Sequence, residues 1–154
     1  MRMLVADRRR YPELYNYIKV QVSKLKRINR IVRALETYGS LTAVEARSAL
    51  SWGGGPLVVV RALSAGQCGV PAANGCFSAA RPNEIQISRF RVNQLENASP
   101  ARFDRTQAGK KVLIVGTTLL HELCHYGNKK SGTEYAEGEA GVDFETALYG
   151  RNTG

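Results

Sequence analysis

Three observations predict an α+β fold. Long stretches with apolar residues at three- and four-residue steps lie toward both ends of the chain. Short β-branched or alternating segments lie between them, and glycine- or proline-bearing breaks separate the pieces. Helices, then a few short strands, then helices is the order of an α+β chain, not of an alternating α/β one. At 154 residues the chain is a single-domain length and can bury a real core. Its 44% apolar and 23% charged residues are ordinary globular composition and exclude wholesale disorder.

Met1 to Arg10 is polar and basic and reads as a fraying lead. Tyr11-Pro12-Glu13 opens a helix, with Pro in the first turn where its missing N–H costs nothing. Leu14, Ile18, Val22, Leu25, Ile28, Ile31 and Leu35 then form one stripe, predicting a single helix from Pro12 to Thr37 that Gly39 stops. Ser40 to Glu45 restarts a short helix through Leu50, and the glycines of Ser51 to Pro56 break the chain. Leu57 to Leu63 is a strand, Ser64 to Asn74 a loop, and Gly75 to Ser78 a short strand. Glu84 to Ser88 alternates polar and apolar, the mark of a half-buried strand whose edge could take an extended peptide. Arg89 to Asn97 is helical. A second long helix is predicted from Thr106 to Tyr126, with Gly127-Asn128 as its stop. Residues 129 to 136 make a loop, and Glu137 to Tyr149 is a final helix ended by Gly150. These elements divide into residues 1–54, a basic helical segment that is either part of the domain or the remnant of a longer chain, and a core over residues 55–154.

Charge is uneven. The net is +9, and residues 1–37 hold ten basic against three acidic side chains, whereas residues 121–154 hold three basic against six acidic. The basic end is read first as a solvated helix face, and second as a contact for nucleic acid or an anionic surface; no nucleic-acid motif accompanies it. Apolar runs such as Val112 to Val115 fall far short of the roughly 20 residues of a membrane span. No ordinary signal peptide is present, so export would use another route. Cys68 and Cys76 are spaced to close a small loop, although a chain without a signal peptide favours reduced thiols; no CxxC pair exists.

The chain has two histidines, and they fall four apart in His121-Glu122-Leu123-Cys124-His125. On a helix, residues i and i+4 share a face, so both imidazoles can reach one zinc ion. Glu122, rotated to the side, can take a proton from a zinc-activated water and pass it to a leaving amine. A catalytic zinc needs a third protein ligand. With no third His, the candidates are Glu134, Glu137, Glu139, Asp143 and Glu145, Cys124 pointing off the shared face. On the last helix Glu145 shares a face with Gly141, Phe144 and Leu148, where a carboxylate is costly unless paired or metal-bound. Glu139 shares a more polar face. Glu145 is therefore the preferred ligand and Glu139 the runner-up, the loser serving as a solvated acid or as an acceptor that orients a ligand imidazole. Tyr126 and Tyr149 are primarily packing residues, with Tyr149 a candidate donor to a transition-state oxyanion.

The HExxH motif with a downstream Glu resembles zincins, and the His125-to-Glu145 spacing is similar to that of thermolysin-like gluzincins. Tyr149 stands where those enzymes carry an Asp. More closely, Thr117 to Gly127, with Glu139-Ala140-Gly141, Phe144-Glu145 and Tyr149-Gly150, resembles the zincin-like metallopeptidase toxin domains of bacterial polymorphic toxins, over residues 75–150. Both Glu139 and Glu145 fall on its recurring acidic positions, so the choice between them stays open. The resemblance implies a zincin-like fold, a zinc metallopeptidase acting on a protein or peptide substrate, and a secreted effector module working in a target cell. It also implies a cognate immunity protein. The alternative reading is a basic nucleic-acid or surface-binding module whose zinc site is structural or vestigial.

Overall fold

The computed structural model describes residues 1–63, 68, 72–133, 135 and 139–153. Its strands are β1 (Arg2–Met3), β2 (Leu57–Arg61), β3 (Gly75–Phe77), β4 (Glu84–Ser88), β5 (Phe103–Arg105) and β6 (Lys111–Leu113). Its helices are α1 (Val5–Arg10), α2 (Pro12–Asn16), α3 (Ser23–Leu25), α4 (Asn29–Gly39), α5 (Ala43–Leu50), α6 (Arg89–Glu96), α7 (Ile114–Ser131) and α8 (Ala140–Tyr149). The fold is α+β. The main sheet has the order β1-β2-β4-β3, with β1, β2 and β4 parallel and β3 antiparallel to β4; β5 and β6 form a separate hairpin.

One apolar cluster unites the elements. Leu14, Ile18 and Val22 from the N-terminal third meet Val58 and Val60 of β2, Ile85 and Ile87 of β4, Leu119 and Leu123 of α7, and Phe144 of α8. Helix α7 lies against β3 and β4 on one side and against α4 and α8 on others. Its inner positions from Ile114 to Leu120 are buried almost without interruption, as expected of a helix enclosed on several faces.

Several boundaries differ from the sequence expectation, each for a local reason. The N-terminal lead does not fray: Met1 and Met3 are buried in the core, and Arg2–Met3 pairs with Leu57 and Val58. The single helix from Pro12 to Thr37 is interrupted. A π-helical turn spans Tyr17–Val22, and after Leu25 the amides of Arg27 and Ile28 bond three residues back before α4 begins. Ile28, extended at φ −93° and ψ 99°, turns its side chain partly to water, so the apolar stripe bends there. Glu84–Ser88 is not a half-buried edge. It lies between β2 and β3 with four of its five residues buried, and β1 and β3 are the edge strands of the described sheet. Thr106 to Leu113 forms a turn and strand, with Gly109 at φ +78°, so α7 starts only at Ile114.

Gly39 is the last residue of α4, where a stop is expected, but Gly127 lies inside α7 and is no stop. Ser40 takes the left-handed position after α4, and Gly132 does so after α7. The two glycines let α4 and α7 cross closely. A Cβ on Gly127 would collide with the carbonyl oxygen of Gly39, and one on Gly39 would lie 3.1 Å from Cys124 Cα. Backbone cannot yield as a side-chain tip can. Gly127→Ala is therefore expected to destabilise the fold by about 2–3 kcal/mol, read as a lower midpoint in chemical denaturation. The stop at Gly150 is as expected, left-handed at φ +78°.

Candidate metal centre

Helix α7 carries His121, Glu122 and His125 across the face turned toward α8 and β3. The two imidazole centroids are 5.3 Å apart, as i and i+4 on a helix require. Glu139 faces both. Its Oε2 is 3.4 Å from His121 Nε2, and its Oε1 contacts His125 Nε2. One donor atom from each of His121, His125 and Glu139 lies within 4.8 Å of the others, a set that could hold a metal ion. Two imidazole nitrogens and one carboxylate oxygen are the donors a zinc ion takes in a site with a position left open.

Glu139 precedes the last helix and has no place on its faces. At φ −111° and ψ 108° it is the N-cap of α8, and its carboxylate accepts from the amides of Gly141 (3.3 Å) and Val142 (2.6 Å). Burial works against its charge. The His125 ring, the nearby His121 and the Val142 amide outweigh that and hold its pKa down at about 2.

Glu145 is buried, as its apolar neighbours required, but its oxygens go elsewhere. Oε1 is 2.8 Å from His121 Nδ1, and Oε2 accepts from the amide (2.6 Å) and hydroxyl (2.7 Å) of Thr153. A carboxylate accepts, so Nδ1 of His121 carries a hydrogen toward Glu145, and Nε2, facing Glu139, is the nitrogen left for a metal. Burial lowers the affinity of His121 for a second proton. The Glu145 hydrogen bond, with the charges of Glu122 and Glu139, prevails and raises its pKa above the usual imidazole value.

Glu122 lies beneath the edge strand β3. It is buried, and that burial pushes its pKa up to about 7 against the pull of both histidines and the Phe77 amide. The strand passes close because Gly75 has no side chain. A Cβ there would collide with Thr118 Cγ2 and stand 2.9 Å from Glu122 Oε1. A cavity of about 250 Å³ opens in front, lined by Ala72 to Gly75, Thr118, His121, Glu122, Glu145, Asn152 and Thr153. Cys76 of β3 is disulfide-bonded to Cys68, against the expectation of reduced thiols.

The other candidates lie apart. Tyr149 does not line this cavity; it borders separate depressions with Gln107 and with Tyr17 and Phe103, and burial raises its phenol pKa. Tyr126 is buried beside Val44 and Ala49. Asp143 accepts from the Tyr135 hydroxyl at 2.9 Å. Cys124 is buried, with its thiol toward the Leu120 carbonyl. Glu134 and Glu137 lie outside the described residues. Sequence reasoning missed Thr118, Asn152, Thr153 and the Phe77 amide. Asn152, Thr153 and the Phe77 amide carry no periodic or motif signal and reach the site through β3 or the turn after Gly150, whereas Thr118 lies on α7 itself, four residues before Glu122 and inside the stretch that carries the resemblance.

Among the described residues no helix is long and apolar enough to cross a membrane. No curated protein and no solved structure matches the chain. A family model does match, over residues 7–150, nearly the whole chain including most of the basic N-terminal segment. With two histidines and a carboxylate gathered into one donor set, His121 of which also lines the cavity, that match is consistent with the site: the chain belongs to the family metallopeptidase toxin 3, peptidase domains of toxins.

Proposed function

We propose that the chain is a zinc-dependent endopeptidase in which His121, His125 and Glu139 hold the metal and Glu122 moves the proton. The observation that carries this is the convergence of Glu139 on both imidazoles while Glu145 holds the far nitrogen of His121. It supports Glu139, the runner-up, as the third ligand, with Glu145 in the orienting role. When bound, zinc supplies Lewis acidity to a scissile carbonyl and acidifies a water. Glu122 takes the proton of the attacking water on its buried carboxylate and returns it to the leaving amine. The Phe77 amide holds that carboxylate in place, and Gly75 keeps the space above it clear. A protein substrate fits the toxin family. Residues 1–54 are read as part of the catalytic domain, because Leu14, Ile18 and Val22 share a core with α7. Delivery as a secreted effector, with a cognate immunity protein in the producer, is proposed on the family membership. Tyr149 is given no catalytic role in this reading.

Metal content measured by elemental analysis tests the ligand set. Wild type is expected to hold near one zinc per chain and Glu139→Ala to lose it. Glu145→Ala should still bind, with affinity reduced about 10- to 100-fold. Zinc lost from Glu145→Ala and kept by Glu139→Ala would reverse the two roles. No zinc in reconstituted wild type would overturn this reading and favour the alternative of a basic surface-binding module.

A further inference from the structure

We infer that Thr153, in the segment after α8, is a positioning residue for the metal centre: it fixes the Glu145 carboxylate so that Glu145 fixes the His121 ring. The inference rests on the reading of His121 as a ligand. Glu145 and Thr153 are each only 2% exposed. Both donors of Thr153 converge on one oxygen, Oε2 of Glu145, leaving Oε1 for His121 Nδ1. The Thr153 carbonyl in turn lies 3.3 Å from the Thr117 hydroxyl of α7, whose one hydrogen it shares with the Ile114 carbonyl at 3.0 Å. The chain of contacts therefore closes on itself, from Thr117 of α7 to Thr153, to Glu145 of α8, and back to His121 of α7. Gly150, left-handed at φ +78°, turns the chain so that Thr153 can reach this place.

A buried carboxylate held on one side only can rotate about its terminal torsion and aim Oε1 away from the ring. Two charge-assisted hydrogen bonds on the other oxygen remove that freedom. Removing the hydroxyl alone leaves the amide bond and a buried oxygen with less than its full set of donors. The ring it orients should then sit less firmly.

Thr153→Val removes the hydroxyl at nearly constant shape, and Thr153→Ser keeps it. The first readout is the His121 Nδ1 proton in nitrogen-15 spectra of the metal-free protein. It should be slowly exchanging in wild type and Thr153→Ser, and broadened or absent in Thr153→Val. The second is zinc affinity by competition with a chelating dye, expected to fall about tenfold in Thr153→Val and to stay within about twofold in Thr153→Ser. Thermal unfolding of both variants identifies any general loss of fold. A Thr153→Val protein that is folded, with the wild-type ring proton and wild-type zinc affinity, overturns the inference. Wild type without zinc overturns the proposed function instead, and the ring-proton comparison still judges Thr153.

Discussion

Glu122→Gln is expected to lower peptide hydrolysis by about 10³-fold while zinc content stays at the wild-type level. The amide is nearly the same size as the carboxylate and can still accept from the Phe77 amide, so the fold around it should be kept. What it cannot do is hold a proton taken from water. Glu122 is also not one of the three residues gathered as a donor set, so its loss leaves that set intact. The measurement is cleavage of a fluorogenic peptide library alongside elemental analysis of the same preparations. Full cleavage by Glu122→Gln would remove it from the chemistry. Loss of zinc in the variant would make it a metal-site residue instead.

Gly141→Ala should be nearly as damaging, by a different route. A Cβ at this position would collide with the imidazole ring of His121, close to Cγ, Cδ2 and Nε2. Alanine favours a helix more than glycine does, so on local grounds α8 should gain slightly. The expected result is a variant with unchanged or slightly higher helix content whose zinc affinity falls about 100-fold, because the ring must leave the position held by Glu145. Circular dichroism and a metal-competition titration separate the two effects. A Gly141→Ala protein with wild-type zinc affinity would mean that His121 can move and still bind.

The difference between what could and could not be read from the sequence is instructive at particular residues. His121 and His125 come together because helix geometry is a local property and four residues of spacing fix it. Gly141 shares the Glu145 face in the sequence pattern, and its neighbour across the gap is the His121 ring. Glu145 was correctly read as a buried carboxylate in need of a partner, but burial alone does not say which partner. His121 Nδ1 and Thr153 supply it. Glu139 was compared with Glu145 by helical face, and it precedes the helix, so its phase carried no information. Gly39 and Gly127 show the same limit. A glycine is needed both where a chain turns left-handed and where two backbones touch, and only the partner surface tells these apart. The order of sheet strands depends on long-range pairing, which alternation cannot supply: the pattern of Glu84–Ser88 predicts a half-buried strand whose edge could take a peptide, and β4 lies inside the sheet.

Glu139 holds one further consequence. Its carboxylate is shared between the first amides of α8 and the two histidines of α7. Any occupant that draws those oxygens toward the imidazoles competes with the helix for the same electron pairs. The opening turn of α8 is therefore a built-in reporter. Hydrogen exchange at the Gly141 and Val142 amides should change when the cluster is filled, with no label placed in the site.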